Sequence, residues 1–374
     1  MLMRHIREVD GQKHTVLMMQ VENEVGILRT TRDRCELAER AFGQQVPNVL
    51  MDYVREHADS LTLYLQNAWK KAGSKTVGTW KDVFGEAADE VFMAWHFARY
   101  IDNVAKAGKV EYPIPMYVNA WLGPQYEGQL PGSYPSGGPV ARMLDVWRVA
   151  APNIDFFAPD IYVEDFRRVC CEFRHSGNPL MFPEARPDEQ AAGNVFYAVG
   201  QHDALCFSPF AVDSIITPHP LAANYRLLSE MMPIITKYQG TGRMIGFTDD
   251  SLVNVGYSAY TGRELRGFEC ELGRYQLQVR YTKPFERGKV PASGLIITTK
   301  DDEYILAGLG FTATFASKHG ETKNVEILTL EEGRFEKGKW IAGRRLNGDE
   351  SLSGKIIYMR NEPSVCIAKI YEYP

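Results

Sequence analysis

The feature that most constrains the fold is a repeated alternation of short apolar runs with longer segments of helical periodicity. The apolar runs cover residues 15–21, 115–121, 154–162, 180–184 and 204–210. Segments with apolar residues on one helical face follow these runs, for example from Asn48 onward and over residues 221–238. Short buried strands that alternate with helices are typical of parallel βα units. The pattern therefore predicts five parallel strands covered by helices.

The periodicity changes near residue 240. From Tyr275 to Tyr281 apolar and polar side chains alternate one by one, which is typical of a half-buried antiparallel strand. A hairpin is predicted further on, with its turn at Lys337 and Gly338. The sequence thus predicts an α/β domain over residues 1–239 and an all-β, sandwich-like domain over residues 240–374.

Composition narrows the classes of partner and cofactor. The formal net charge is −5 and no block of lysines and arginines stands out, so no nucleic-acid partner is expected, because such a partner needs a basic stripe. No apolar run reaches the roughly 18 residues of a membrane span. Cysteines and histidines do not occur at metal-ligand spacing, and no phosphate-binding or dinucleotide motif follows a strand. We therefore expect no membrane partner and no metal or organic cofactor.

Glutamates stand at the ends of two predicted strands. Glu22 and Glu24 follow the first strand, and Glu184 ends the fourth. In a parallel barrel the carboxyl ends of the strands meet at one pocket. Hydrolysis of a glycosidic bond needs two carboxyl groups, one to donate a proton and one to attack or to activate water. A single glutamate at such a place is usually a solvated loop residue, whereas the pair predicts a hydrolytic site. Strand alternation does not separate Glu22 from Glu24.

The sequence around these glutamates resembles the glycoside hydrolase family 35 β-galactosidases. Gln20-Val-Glu-Asn-Glu-Val-Gly26 is similar to the family's fourth-strand signature, and Leu180-Met-Phe-Pro-Glu-Ala-Arg186 to its seventh-strand segment. The resemblance covers the whole chain and includes the β domain of a bacterial branch. It implies a partial TIM (β/α)8 barrel with strands four to eight only. Strands one to three would be absent, which implies an N-terminally truncated barrel whose mechanism belongs to the complete enzyme.

The resemblance also implies an activity and two catalytic groups. It indicates a retaining β-glycosidase, in the first place a β-galactosidase, that acts on terminal β-linked sugars of an oligosaccharide. By the same resemblance Glu24 is the general acid/base, Glu184 is the nucleophile, and Asn23 contacts the sugar 2-hydroxyl. Glu22 is interpreted as a residue of one of the side-chain layers that fill the barrel, deeper than Glu24.

Other side chains near the predicted strand ends have two interpretations each. Tyr162 either donates a hydrogen bond to the nucleophile, as in similar barrels, or simply packs. Asn119 and Trp121 are predicted to line the pocket, where Trp121 stacks on a sugar or anchors a loop. Arg186 either orients the nucleophile or pairs with Asp188 at the surface.

Several alternatives stay open from the sequence. The enzyme could act on another β-sugar, such as a glucoside or an arabinoside, since fold alone does not choose. A non-catalytic carbohydrate-binding remnant is the alternative from another class. The β domain could cover the barrel, bind polysaccharide or form a homo-oligomer, and covering is the simplest role.

The cellular compartment also stays open. The first twelve residues lack the apolar segment of an export signal. A periplasmic or secreted location is compatible with a full-length protein.

Overall fold

The computed structural model describes residues 1–250, 255–257, 264–282, 285–318 and 324–374. The chain forms two compact units, Met1–Glu184 and Ala185–Pro374. The predicted domain boundary at residues 239/240 lies further along the chain, where the last helix of the second unit ends.

The first unit is organised around a parallel sheet. Its strands are β1 (Met19–Gln20), β2 (Met116–Ala120), β3 (Phe156–Ile161) and β4 (Glu184–Ala185), in the order β1-β2-β3-β4. β1 pairs with β2, and β2 with β3, in parallel. Every residue of β2 and β3 is buried. A parallel strand is covered on both faces, which explains why these two strands read as continuous apolar runs.

Eight α-helices accompany this sheet in the described part of the first unit. In α6 the buried residues Val91, Ala94, Ala98, Ile101 and Ala105 recur every three or four positions and form one packing face. The helices are α1 (Leu2–Asp10), α2 (Glu36–Phe42), α3 (Asn48–Glu56), α4 (Leu63–Lys71), α5 (Trp80–Phe84), α6 (Ala88–Glu111), α7 (Leu144–Ala150) and α8 (Phe166–Phe173).

The prediction of five parallel strands is wrong, because the sheet has four. Residues 204–210 form no strand apart from an isolated bridge at Phe207. Leu205 and Phe210 expose 56% and 57% of their surface. A central parallel strand is covered on both faces, and this run is not. Pro209 in addition cannot donate a ladder hydrogen bond. The first and fourth predicted runs do reach the sheet, but the first contributes only Met19 and Gln20 and the fourth only Glu184.

The second unit begins with two helices and continues as a β structure. The helices are α9 (Glu189–His202) and α10 (Pro220–Tyr238). The strands are β5 (Met244–Thr248), β6 (Val255–Tyr257), β7 (Glu264–Leu272), β8 (Tyr275–Tyr281), β9 (Ser293–Lys300), β10 (Glu303–Leu309), β11 (Phe311–Ser317), β12 (Asn324–Glu336), β13 (Lys339–Arg345), β14 (Ile357–Met359) and β15 (Ser364–Tyr373).

These strands form two sheets that share one core. A six-stranded sheet has the order β13-β12-β15-β10-β9-β5, and a five-stranded sheet has the order β14-β11-β8-β7-β6. The strand pairings among the described residues of both sheets are antiparallel. Side chains from both sheets, such as Ile296 and Leu306 of one and Leu277 and Phe311 of the other, belong to a single apolar cluster. The second unit is therefore built as two antiparallel sheets packed face to face.

Two local predictions in this unit are confirmed. β8 runs from Tyr275 to Tyr281, and its four apolar residues at alternate positions are the ones buried. The predicted hairpin turns at Lys337 and Gly338 between β12 and β13, with φ of 50° and 76°. Positive φ at both central residues is the conformation that a two-residue turn of type I′ requires.

Candidate active site

Tyr162 and Glu184 come together on neighbouring strands of the first unit. Tyr162 follows β3 directly, and Glu184 is the first residue of β4. The phenolic O–H of Tyr162 donates to Oε2 of Glu184 over 2.7 Å. Burial, followed by this hydrogen bond and the negative charge of Glu184, raises the pKa of Tyr162 above its usual range. The phenol thus stays protonated and acts as a donor to the carboxylate.

Glu24 lies in the loop after β1 and is half-buried. Its backbone φ is 43°, and that of Glu22 is 60°. Positive φ is uncommon for residues with a Cβ and often occurs at functional sites. Because the strand ends at Gln20, strand alternation does not extend to these residues, and their side chains are aimed by the turn. Burial raises the pKa of Glu24; the nearby charge of Glu184 adds to this effect, and a hydrogen bond with Asp160 opposes it.

Asn119 of β2 holds this loop in place. Its side chain is 1% exposed. Oδ1 accepts from the backbone N–H of Glu24 over 3.0 Å, and Nδ2 donates to Oδ1 of Asn23 over 3.0 Å and to Oδ2 of Asp160 over 2.7 Å. Asn119 was predicted to line the pocket. It is buried and its amide contacts three protein groups, so it positions Asn23 and the backbone of Glu24.

Asp160 is a site residue that the sequence reasoning missed. It lies on β3, two positions before Tyr162, is 2% exposed, and contacts both Asn119 and Glu24. Burial and the charges of Glu184 and Glu24 raise its pKa to about 9. The signal in the sequence was an aspartate near the end of a mainly apolar run, two residues from a candidate site tyrosine and hence on the same side of a strand.

Asn23 and Glu22 are both exposed. Oδ1 of Asn23 accepts from Nε2 of Gln20 over 3.2 Å as well as from Asn119, so the hydrogen bonds formed in the described part of the chain leave its Nδ2 available as a donor. The interpretation of Glu22 as a layer residue deep in a barrel is wrong, because its side chain faces solvent in the loop beyond the strand.

Trp121 and Arg186 are exposed as well. Trp121 follows β2 immediately and exposes 39% of its surface, so its indole is open to a ligand. Arg186 belongs to the second unit and forms no ion pair among the described residues. Asp188, its predicted alternative partner, instead caps α9 by accepting from the backbone N–H of Ala191 over 3.0 Å.

Two searches of the described residues gave negative results. They contain no cluster of three or more histidine, cysteine, aspartate or glutamate side chains with the geometry of a metal site. None of the helices in the described part is long and apolar enough to cross a membrane.

Part of the chain is similar to a known protein family. Residues 221–357 match a family model described as a domain of unknown function, DUF5597. The matched segment runs from α10 to the start of β14 and includes none of the glutamates discussed above. No curated protein matches the chain at a significant level.

Proposed function

We propose that the first unit carries the active site of a retaining β-glycosidase, with Glu24 as the general acid/base and Glu184 as the nucleophile. The observation that carries the proposal is the pairing of two carboxyl groups with opposite environments. Glu184 accepts a hydrogen bond from Tyr162, which orients its carboxyl group. Glu24 is partly buried beside the negative charge of Glu184, and its pKa is raised. Two carboxyl groups whose environments differ in this way are suited to the roles of nucleophile and acid.

The proposed reaction is a double displacement. In the first step Glu184 attacks the anomeric carbon while Glu24 gives its proton to the departing glycosidic oxygen, and a glycosyl ester of Glu184 forms. In the second step Glu24 takes a proton from water, the water oxygen attacks the anomeric carbon, and the ester bond breaks. The raised pKa of Glu24 keeps a proton available for the first step. Loss of the negative charge of Glu184 on ester formation then lowers the pKa of Glu24, which suits it to act as a base.

Neighbouring side chains fit sugar binding. The available Nδ2 of Asn23 would donate to the sugar 2-hydroxyl, where a hydrogen bond that strengthens in the transition state is most effective. The exposed indole of Trp121 would stack on a pyranose face. The resemblance to family 35 favours a β-galactoside over other β-sugars.

The sheet order supports a barrel assignment within this proposal. Strands that are neighbours in sequence are also neighbours in the sheet, from β1 to β4, as in consecutive strands of a (β/α)8 barrel. We therefore assign β1 to β4 as strands four to seven of such a barrel. Glu24 follows the carboxyl end of β1, and Glu184 lies in the two-residue strand β4 beside Tyr162, which follows the carboxyl end of β3. Barrel enzymes have their sites at the carboxyl ends of the strands.

The test is hydrolysis of nitrophenyl β-galactoside by the full chain and by Glu24→Gln, Glu184→Gln and Glu22→Gln variants. Glu184→Gln should abolish turnover, and Glu24→Gln should lower it by about 10²- to 10⁴-fold. Glu22→Gln is the matched control, an exposed neighbour that should retain activity. Proton NMR of the first-formed sugar should show the β-anomer, because the mechanism retains configuration.

Two results would change the proposal. Activity on a glucoside or arabinoside but not on a galactoside would move the substrate assignment and keep the mechanism. Binding of oligosaccharide without turnover of any glycoside would favour the carbohydrate-binding alternative, which the exposed Trp121 also fits.

A further inference from the structure

We propose that Asp160 is a neutral carboxylic acid in the working site and that its proton forms a hydrogen bond to the carboxyl group of Glu24. Asp160 would then be a positioning residue for the acid/base group. This inference rests on the proposed function for its consequence, but the protonation of Asp160 itself follows from contacts that exist without a substrate.

The contacts of the two oxygens of Asp160 differ. Oδ2 accepts from Nδ2 of Asn119 over 2.7 Å. Oδ1 is buried and has no hydrogen-bond donor in the described part of the chain. The side chain of Asn119 bridges the two residues, because it accepts from the backbone N–H of Glu24 and donates to Asp160, and the carboxyl groups of Glu24 and Asp160 interact with each other. Two carboxylates offer only acceptors to each other, so this contact is favourable only if a proton lies between them.

The surroundings decide which carboxyl group keeps the proton. The titratable groups that face Asp160 are Glu24, Glu184 and Tyr162. The first two are carboxylic acids, and the third is a phenol whose hydroxyl donates its hydrogen bond to Glu184. Asn119 supplies a neutral donor only. Asp160 is 2% exposed, whereas Glu24 is half-buried, so ionisation costs more at Asp160. The raised pKa of Asp160, about 9, agrees with this assignment.

A protonated Asp160 has a direct consequence for Glu24. A donor to the Glu24 carboxylate stabilises its ionised form and opposes the effect of burial. Glu24 has to lose its proton in the first step and to accept one from water in the second. The hydrogen bond from Asp160 would limit the rise in the pKa of Glu24. Glu24 can then still be ionised when it has to accept a proton from water in the second step. Together with the contact from Asn119 to the Glu24 backbone, it would also fix the direction of the carboxyl group.

Two variants of Asp160 separate this role from a purely structural one. Asp160→Asn retains a neutral donor and an acceptor: its Oδ1 can accept from Asn119 and its Nδ2 can donate to Glu24. It should keep kcat/KM within about threefold of the parent and leave the alkaline limb of the pH profile in place. Asp160→Ala removes the donor, so kcat/KM should fall about 10- to 100-fold, and the alkaline limb should move to higher pH.

The outcome that overturns the inference is specific. If Asp160 were ionised, Asp160→Asn would remove a negative charge beside Glu24 and lower the pKa of Glu24. The alkaline limb of Asp160→Asn would then move to lower pH. Thermal unfolding of both variants shows whether Asp160→Ala still folds; if it does not, the comparison of the parent with Asp160→Asn still decides.

A measurement without substrate separates this inference from the proposed function. Carbon-13 NMR of the carboxyl groups, in the full chain labelled at aspartate, should show one resonance that is absent from Asp160→Asn and stays at the protonated position between about pH 5 and 8. A resonance already at the carboxylate position near pH 6 would overturn the inference, even in an active enzyme. Failure of the chain to hydrolyse any glycoside would instead overturn the proposed function and leave the proton on Asp160.

Discussion

Tyr162 donates its phenolic hydroxyl to Oε2 of Glu184 at 2.7 Å, and this bond joins the end of β3 to the start of β4. Tyr162 holds one carboxylate oxygen, which fixes the direction of the other. Tyr162→Phe removes a hydrogen bond to a charged group, worth about 1.5–3 kcal/mol. We expect kcat/KM on a nitrophenyl glycoside to fall about 10- to 100-fold.

The stability of Tyr162→Phe should change little, within about 0.5 kcal/mol, because Tyr162 is 37% exposed. Tyr100→Phe, an exposed tyrosine on α6, is the matched control and should leave kcat/KM unchanged. Equal activity of Tyr162→Phe and the parent would contradict the role of the hydrogen bond.

Asn119 should be important for both stability and activity. It is buried and makes three hydrogen bonds, to the Glu24 backbone, Asn23 and Asp160. Asn119→Ala removes the hydrogen-bond partner of the buried Asp160 and of the half-buried Glu24 backbone N–H, and creates a small cavity. We expect a loss of about 3 kcal/mol in the free energy of unfolding, measured by urea denaturation.

The matched control for this change is Asn103→Ala, since Asn103 is exposed on α6 and bonds only to the carbonyl of Arg99. Its unfolding free energy should change by less than about 0.5 kcal/mol. If both variants lose the same unfolding free energy, the hydrogen bonds of Asn119 contribute no more to stability than the single exposed one of Asn103.

The sequence predicted the candidate catalytic pair because its signals are local. Both glutamates stand directly beside an apolar run, and in the structure Glu24 lies in the loop after β1 and Glu184 in β4. The same holds for β8 and for the turn at Lys337 and Gly338, where alternation and turn chemistry involve only neighbouring residues.

The predictions that failed depended on contacts distant in sequence. Residues 204–210 are as apolar as a strand, but whether a run is covered on both faces is decided by packing, and here Leu205 and Phe210 stay exposed. Asp160 was missed because an aspartate in an apolar run gains meaning only once Glu24 and Asn119 are seen beside it. The predicted direction of the Glu22 side chain was wrong because the backbone φ of Glu22 is positive, so this residue does not follow the alternation of the strand.

Glu90 should make stability depend on pH. It is 1% exposed, Arg142 contacts Oε2 over 2.6 Å, and Tyr134 donates to Oε1 over 2.8 Å. Burial raises the pKa of Glu90 to about 7, although Arg142 opposes the shift. Between the unfolded value of 4.5 and about 7, the unfolded chain releases a proton that the folded chain keeps. The contribution of Glu90 is therefore fully present below the unfolded value and is lost as the pH rises through this window.

The neutral variant Glu90→Gln tests this dependence, because other titrating groups are shared with the parent. The unfolding free energy of the parent minus that of Glu90→Gln should fall as the pH is raised from about 4.5 to about 7. The measurement is urea denaturation at a series of pH values. A difference that stays constant, or that grows with pH, would show that the ion pair with Arg142 dominates over burial.

Gly246 should be required for the packing of α9 on β5 in the second unit. A Cβ at Gly246 would lie 2.2 Å from the carbonyl oxygen of Phe196 and 2.7 Å from Cα of Gly200. Both are backbone atoms of α9, so no side-chain rotation relieves the clash and the helix must move away from the sheet. Gly246→Ala is therefore expected to lose about 3 kcal/mol in unfolding free energy.

Gly348→Ala is the control for this change, since a Cβ at Gly348 meets nothing within 4 Å and its φ of −63° suits any residue. It should be neutral or raise the unfolding free energy by about 0.4–1 kcal/mol, because alanine restricts the unfolded chain. Urea denaturation of both variants checks the pair. A Gly246→Ala protein as stable as Gly348→Ala would mean that α9 can shift on the sheet at little cost, and the close approach of Gly200 and Gly246 would then not be needed for the fold of this unit.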